Sequence, residues 1–236
     1  MNCFTIDVDW APEEVIQDTL DLFKKYDVPC TIFTTHKSEV LDNCDRDLFE
    51  IGLHPNFNQI LQGKGGNVED VMSNLKEMYP EAKGARSHSL TQSGYILEMY
   101  RKSGITYEVN HFLPYHQGIK PFVLWNGLCR IPFNWEDDYH FALDYPFDDS
   151  KIDLMDKELN IFNFHPIHIY LNSENNDRFS KIKHDQQNMG LLRTVQNIGE
   201  VLGTRDILIA LLEHVSLNGL MSSKLYDVSL QFGGKK

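Results

Sequence analysis

Apolar and polar residues alternate along the first segment of the chain, Phe4–Asp9, with apolar side chains at the even positions. A period of two is typical of a β-strand, in which residues two apart share a face. Asp7 and Asp9 are therefore expected on one face, roughly 7 Å apart. Two neighbouring carboxylates repel each other, and a core strand rarely carries that penalty unless a metal, a base or an acid uses the charge.

Strand and helix patterns continue to alternate after this segment. Apolar periodicity, helix caps and glycines predict helices over 12–26, 68–79, 93–103, 189–202 and 206–215, and strands over 29–34, 48–53, 105–109 and 159–164. A short strand and turn are predicted over 84–89. Gly203 is expected to end the helix over 189–202. Segment 110–150 lacks clear periodicity and is predicted as irregular strands and loops. The polar segment 172–188 is predicted as a surface loop. The alternation predicts an α/β fold with a largely parallel sheet, open or closed into a barrel, whose active site lies at the carboxyl ends of the strands.

The composition narrows the classes of partner. With 236 residues, 34 acidic side chains, 22 basic side chains and a net charge of −12, the chain is expected to form one acidic domain over residues 1–236. This charge argues against nucleic acid and against an anionic membrane surface, and favours a small-molecule or saccharide substrate. The four cysteines stand singly, so we expect free thiols, a cytoplasmic location and no membrane insertion. The oligomeric state stays open.

Four polar segments follow or end predicted strands: Asp7–Asp9, Gly52–Asn58, Arg86–His88 and Phe164–His168. Carboxylates and imidazoles are metal ligands and proton carriers, and parallel strands bring their carboxyl ends to one rim. Each residue alone also has a structural interpretation. Asp9 could cap the following helix, and each histidine could be a hydrogen-bonded core or loop residue.

These four segments, in this order, resemble the motifs of the polysaccharide deacetylase family (NodB-homology carbohydrate esterases), and most closely those of its WbmS-like branch. The resemblance covers residues 2 to about 205. It implies a distorted (β/α) barrel of about seven strands. It also implies a metal-dependent hydrolase that removes an N-acetyl group from an amino sugar or sugar conjugate during surface-polysaccharide synthesis.

The resemblance also implies roles for individual residues. Asp7 corresponds to the catalytic base and Asp9 to a metal ligand. His54 corresponds to a second metal ligand, Arg86 to the arginine that holds the base, and His165 to the general acid.

One position departs from the family pattern. Asn58 stands where a second metal histidine is expected, and a neutral amide oxygen is a weak ligand for a zinc-like ion. His88 offers a replacement, because Asp9, His54 and His88 would give two imidazoles and one carboxylate, a set suited to catalytic Zn²⁺. We therefore expect His88 as the third ligand.

Three residues receive possible supporting roles. They are Asn58, His168 and Asp137, of which His168 could orient His165 or a carboxylate. Because of Asn58, two alternatives stay open: a deformylase or cyclic-amide hydrolase on the same scaffold, with or without metal, and a saccharide-binding protein that has lost turnover.

Overall fold

A computed structural model describes residues 1–147, 158–199 and 201–232 of the chain. The strands are β1 Asn2–Asp7, β2 Cys30–Thr34, β3 Phe49–Leu53, β4 Gly84–Ala85, β5 Tyr107–Glu108, β6 Phe122–Val123, β7 Cys129–Arg130, β8 Trp135–Glu136 and β9 Asn160–Phe164. The helices are α1 Glu13–Tyr26, α2 Glu39–Asp42, α3 Asn58–Leu61, α4 Val68–Met78, α5 Gly94–Lys102, α6 Asp137–Ala142, α7 Pro166–Leu171, α8 Asp177–Ile182, α9 Met189–Val195, α10 Thr204–Leu217 and α11 Leu225–Phe232. A short 3-10 helix spans His88–Leu90.

One sheet contains the nine strands of the described residues, in the order β6-β7-β5-β4-β3-β2-β1-β9-β8. All neighbours pair in parallel except β6 and β7. The stretch from β7 to β8 joins the two sides of the sheet, because the Ile131 amide donates to Glu108 of β5 and the Asn134 amide donates to Ile161 of β9. The sheet therefore curls into a distorted barrel, as predicted, with nine strands rather than about seven.

The centre of the sheet is buried by helices on its outer side. Every residue of β1 is buried, and the buried stripe of α1 packs towards α7 and α10. Phe4 of β1 stacks on Phe162 of β9 at 5.5 Å and meets Phe23 of α1 edge-on at 5.9 Å. Burying each such side chain contributes about 1.5–3 kcal/mol, so this aromatic layer anchors the strand that carries Asp7.

The predicted alternation of strands and helices is confirmed through α5 and again at β9, with differences at the element ends. The strand predicted over 105–109 shortens to β5, and the helix predicted over 189–202 shortens to α9, with residue 200 outside the described residues. The prediction that Gly203 ends a helix is wrong. Gly203 precedes α10, and its amide donates to the Asp206 carboxylate, which caps the start of that helix.

Two segments predicted as irregular contain further elements. The stretch 172–188 includes α8, and 110–147 includes β6, β7, β8 and α6. Residues 148–150 of the region predicted as irregular lie outside the described residues. The strands β6, β7 and β8 and the helices α6 and α8 are short, so their apolar periodicity spans too few residues to distinguish a strand from a helix. In the described part of the chain, no helix has both the length and the apolar character that crossing a bilayer requires.

Candidate metal centre and active site

Three side chains from separate strand ends meet at one rim of the barrel. Asp9 follows β1, His54 follows β3, and His88 begins the 3-10 helix after β4. The Asp9 Oδ1 atom lies 3.2 Å from His54 Nε2 and 2.9 Å from His88 Nδ1. One potential ligand atom from each residue lies within 4.8 Å of the others. The three expected metal ligands thus form one cluster.

Left-handed backbone turns hold two members of this cluster. Asp9 and Trp10 have φ of 42° and 58°, and Ser89 and Leu90, directly after His88, have φ of 55° and 51°. The left-handed region costs a non-glycine residue roughly 1–2 kcal/mol. Such strain persists where the surrounding structure enforces it, and it concentrates at functional sites. β1 itself ends at Asp7, so a turn rather than strand periodicity places the Asp9 carboxylate.

Contacts within the cluster shift the pKa values of Asp9 and His88. Burial alone would raise the pKa of Asp9, but hydrogen bonds from His54 and His88 hold that pKa well below its usual value. Burial alone would lower the pKa of His88, but the hydrogen bond to Asp9 and the charges of Asp9 and Asp7 raise it. The Asp9 carboxylate therefore lies between the imidazoles of His54 and His88, and its hydrogen bonds with them favour its ionised state.

This donor set fits a divalent transition metal such as Zn²⁺, which binds imidazole nitrogen and carboxylate oxygen in catalytic sites with three protein ligands. Asn58, the first residue of α3, donates its side-chain amide to Ser89 Oγ at 3.4 Å. Asn58 thus lies beside the turn that carries His88.

Asp7 lies next to the cluster in a buried network. Its Oδ1 atom accepts a hydrogen bond from Arg86 Nη1 at 3.0 Å and lies 3.6 Å from His54 Nδ1. Its Oδ2 atom accepts from Asn163 Nδ2 at 2.9 Å. The ring of His54 therefore stands between Asp7 on one nitrogen and Asp9 on the other.

Arg86 is fully buried and enclosed by aromatic rings. The guanidinium carbon lies 4.7 Å from the ring centre of Phe33 and 4.4 Å from that of Phe133. Its Nε atom donates to the Val109 carbonyl at 3.2 Å. Packing between two rings fixes the plane of the guanidinium, so the donor that faces Asp7 has a defined direction.

His165, at the end of β9, is oriented by Asp137. Its Nδ1 atom lies 2.6 Å from Asp137 Oδ1, and its backbone amide donates to Asp137 Oδ2 at 2.9 Å. Its Nε2 atom lies 3.8 Å from Asp9 Oδ2, facing the metal-ligand cluster. Burial alone would lower the pKa of His165, but the carboxylates of Asp137 and Asp138 raise it well above its usual value.

His168, three residues after His165, is also paired with a carboxylate. Its Nε2 atom lies 2.9 Å from Asp138 Oδ1, and its Nδ1 atom lies 3.2 Å from Ser173 Oγ. The rings of His168 and His165 meet edge-on at 5.9 Å. Both ring nitrogens of His168 have other partners, so His168 contacts the general-acid candidate through its ring.

All predicted site residues therefore lie at one end of the barrel, although they span more than 150 positions. The sequence interpretation missed Glu136 and Asn163, which contact each other and extend the network around Asp7. Asn163 gave a signal: it is the one amide inside the apolar segment Ile161–Phe164, two positions before His165 and so on the same face of the strand.

Comparisons with known proteins agree with this geometry. Residues 4–183 match the family described as WbmS-like polysaccharide deacetylase. A solved structure from Bordetella bronchiseptica, described as a polysaccharide deacetylase involved in O-antigen biosynthesis (WbmS), has 34% sequence identity and a TM-score of 0.83, and the match covers 90% of each chain. No curated protein matches this chain significantly.

More distant structures share the fold alone. The 4-α-glucanotransferase from Thermococcus litoralis has 12% identity and a TM-score of 0.57 over 98% of this chain and 38% of that chain. The peptidoglycan deacetylase PdaC from Bacillus subtilis has 12% identity and a TM-score of 0.53 over 98% of this chain and 90% of that chain. The extent of the family match and the identity to the Bordetella protein establish that this chain belongs to the WbmS-like polysaccharide deacetylases, a family of hydrolytic enzymes.

Proposed function

We propose that this protein is a metal-dependent hydrolase that removes an N-acetyl group from an amino sugar or sugar conjugate. The observation that carries the proposal is the convergence of three groups at one rim: the ligand cluster, a carboxylate held by an arginine, and a histidine held by a carboxylate. Amide hydrolysis needs an activated water, a stabilised oxyanion and a protonated leaving amine, and these groups match those needs.

Asp9, His54 and His88 would hold the cation, with Zn²⁺ as the proposed metal. A bound divalent cation would supply Lewis acidity, which polarises the amide carbonyl and acidifies a water molecule. Asp7 lies outside this ligand set, next to His54, and we propose that its carboxylate accepts the proton of the attacking water. Arg86 donates a hydrogen bond to this carboxylate and directs it.

His165 would donate a proton to the departing nitrogen. Its Nδ1 atom is engaged with Asp137, so the Nε2 atom is the one that faces the cluster. The carboxylates of Asp137 and Asp138 outweigh burial and raise the pKa of this imidazole, which favours the protonated form that the role requires. Amide hydrolysis uses a base for the attacking water and an acid for the departing nitrogen, and Asp7 and His165 would supply these two groups.

Two observations support a saccharide substrate. The similar Bordetella protein is described as involved in O-antigen biosynthesis, which supports a role in surface-polysaccharide synthesis. Trp10 is 36% exposed, and its ring meets His88 edge-on at 5.3 Å, so an aromatic surface adjoins the proposed metal site. Aromatic faces pack against the apolar faces of sugar rings. The four buried free cysteines support the proposed cytoplasmic location, where thiols stay reduced.

The proposal predicts that two neighbouring substitutions separate chemistry from metal binding. Asp7→Asn should abolish acetate release while zinc content stays at the wild-type level, whereas His54→Ala should lose both. Acetate release is measured on tetra-N-acetylchitotetraose and on UDP-N-acetylglucosamine, with N-formyl analogues in parallel, and zinc by elemental analysis. Wild-type turnover in Asp7→Asn would contradict the proposed base. Saccharide binding without acetate or formate release by the zinc-loaded wild type would instead support a protein without turnover.

A further inference from the structure

The amide of Asn163 in β9 connects four functional groups. Its Oδ1 atom accepts hydrogen bonds from Arg86 Nη1 and from Thr5 Oγ1, the latter at 2.9 Å. Its Nδ2 atom donates to Asp7 Oδ2 at 2.9 Å and to Glu136 Oε1 at 3.0 Å. Asn163 is fully buried, so each of these bonds replaces one that water would otherwise supply.

Strand register builds this arrangement. Asn163 pairs with Thr5 across β9 and β1, and with Glu136 across β9 and β8. Neighbouring strands lie about 4.7–4.9 Å apart, so side chains in register on adjacent strands are within reach of one amide group. The contact between Asn163 and Glu136 therefore follows from the sheet itself and not from a loop conformation.

Donor and acceptor chemistry fixes the orientation of the Asn163 amide. Arg86 can only donate, so the carbonyl oxygen of Asn163 must face it. The Oδ2 atom of Asp7 accepts the hydrogen bond, so the amino group of Asn163 must face Asp7. Glu136 accepts the second hydrogen of that amino group. Without Glu136, this hydrogen would lose its acceptor, and the orientation of the amide would rest on its other contacts alone.

We infer that Asn163 and Glu136 are positioning residues for the hydrolytic reaction: Glu136 holds the Asn163 amide, and that amide holds the second oxygen of Asp7. This inference rests on the proposed function, because it assumes that Asp7 is the base. Arg86 fixes Oδ1 and Asn163 fixes Oδ2, so the plane of the carboxylate is set by two partners. A base held in one plane presents its free lone pairs in a constant direction.

The charges around Glu136 agree with this role. One oxygen or nitrogen atom each from Asp7, Glu136 and His165 lies within 4.8 Å of the others. Burial raises the pKa of Glu136 to about 7, with His165 and Arg86 lowering it and Asp7 and Asp138 raising it. The Oε1 atom of Glu136 accepts the Asn163 hydrogen bond in either protonation state, so this contact does not depend on the charge of Glu136. The Arg86 guanidinium beside Asp7 also makes this group unsuited to a second cation.

Substitutions that keep or remove one hydrogen-bonding atom test the inference. Glu136→Gln keeps an acceptor oxygen and should retain kcat within twofold on zinc-loaded protein with tetra-N-acetylchitotetraose. Glu136→Leu removes the acceptor and should lower kcat about 10-fold at unchanged KM. Asn163→Leu should lower kcat about 100-fold, within the effect of losing a hydrogen bond to a charged group. Asn160→Leu is the matched control, because Asn160 lies on the same strand and bonds to Asn2 and Asn134 instead of Asp7.

A readout without substrate accompanies the kinetics. Exchange of the Asn163 side-chain amide protons, measured by NMR on the zinc-loaded protein, should be slow in wild type and in Glu136→Gln and at least 10-fold faster in Glu136→Leu. The inference is overturned if Glu136→Gln and Glu136→Leu behave alike in both measurements, or if Asn163→Leu is as active as Asn160→Leu. Failure of the proposed function looks different, because Asp7→Asn would then retain turnover.

Discussion

Glu136→Gln should stabilise the protein at neutral pH and leave its stability unchanged in acid. Glu136 lies in β8, partly buried, and burial raises its pKa from the ordinary value of 4.5 to about 7, against the lowering effect of His165 and Arg86. Between pH 4.5 and about 7, the folded protein therefore holds a proton on this carboxyl, whereas the unfolded chain has released it. Glutamine removes that ionisation and keeps an oxygen that accepts from Asn163.

The sign and size of the effect follow from linkage. Between pH 4.5 and about 7 the folded state binds more protons at this site than the unfolded state, so wild-type stability falls as pH rises through this window. The difference between the two values corresponds to about 3 kcal/mol, and solvent screening of a partly buried group makes this an upper bound. Glu136→Gln should therefore gain up to about 3 kcal/mol above pH 7 relative to wild type, and nothing below pH 4.

Urea unfolding of the metal-free protein at a series of pH values measures this difference. Chelated protein is used because zinc bound only to the folded state would add its own contribution. Glu77→Gln is the matched control, since Glu77 is exposed on α4. A constant difference between Glu136→Gln and wild type from pH 4 to 8 would refute the reasoning, because it would show that the Glu136 carboxyl titrates alike in the folded and unfolded states.

Three further predictions address other parts of the site. His88→Ala should weaken zinc binding at least about 100-fold, because even residues that only support a metal ligand contribute 10- to 100-fold to the affinity. Asn58→Ala should change the zinc affinity by no more than about threefold. Calorimetry with Zn²⁺ measures both affinities, and a larger loss in Asn58→Ala than in His88→Ala would exchange the roles of the two residues. Asp137→Asn should lower the pKa of His165 and so move the alkaline limb of the kcat profile to lower pH; an unmoved limb would show that His165 is not the acid. Burial raises the pKa of Cys3 to about 12, and all four thiols are buried, so a thiol reagent at pH 8 should label none until urea unfolds the chain; labelling of native protein would contradict the packing.

The sequence predicted which residues meet at the strand ends better than it predicted how the backbone places them. The Asp7 and Asp9 pair, His54 and His88 were predicted to meet because parallel strands share a rim, and the structure brings them within contact distance. The shared-face argument for the two acids was incomplete. β1 ends at Asp7, and Asp9 enters the cluster through a left-handed turn formed by Asp9 and Trp10. This conformation is uncommon for residues other than glycine, and strand periodicity does not predict it.

Contacts between short strands were beyond the sequence interpretation. β8 contains two residues, and its pairing with β9 is what places Glu136 beside Asn163. Two residues carry no periodicity, and register in such a strand is set by the neighbouring chain rather than by its own pattern. The same reason explains the count of nine strands rather than about seven, since five of them span only two residues each.

Arg86 shows how a predicted role depends on residues that no motif contains. The sequence indicated an arginine that holds the base, and the structure adds Phe33 from β2 and Phe133 from the stretch between β7 and β8 on its two faces. The edge of the guanidinium carries the donors to Asp7 and to the Val109 carbonyl, whereas its two faces pack against the aromatic rings. A lysine ammonium has no faces to pack and would be strongly desolvated here. The requirement for arginine at this position is therefore set by the aromatic packing as much as by the charge of the base.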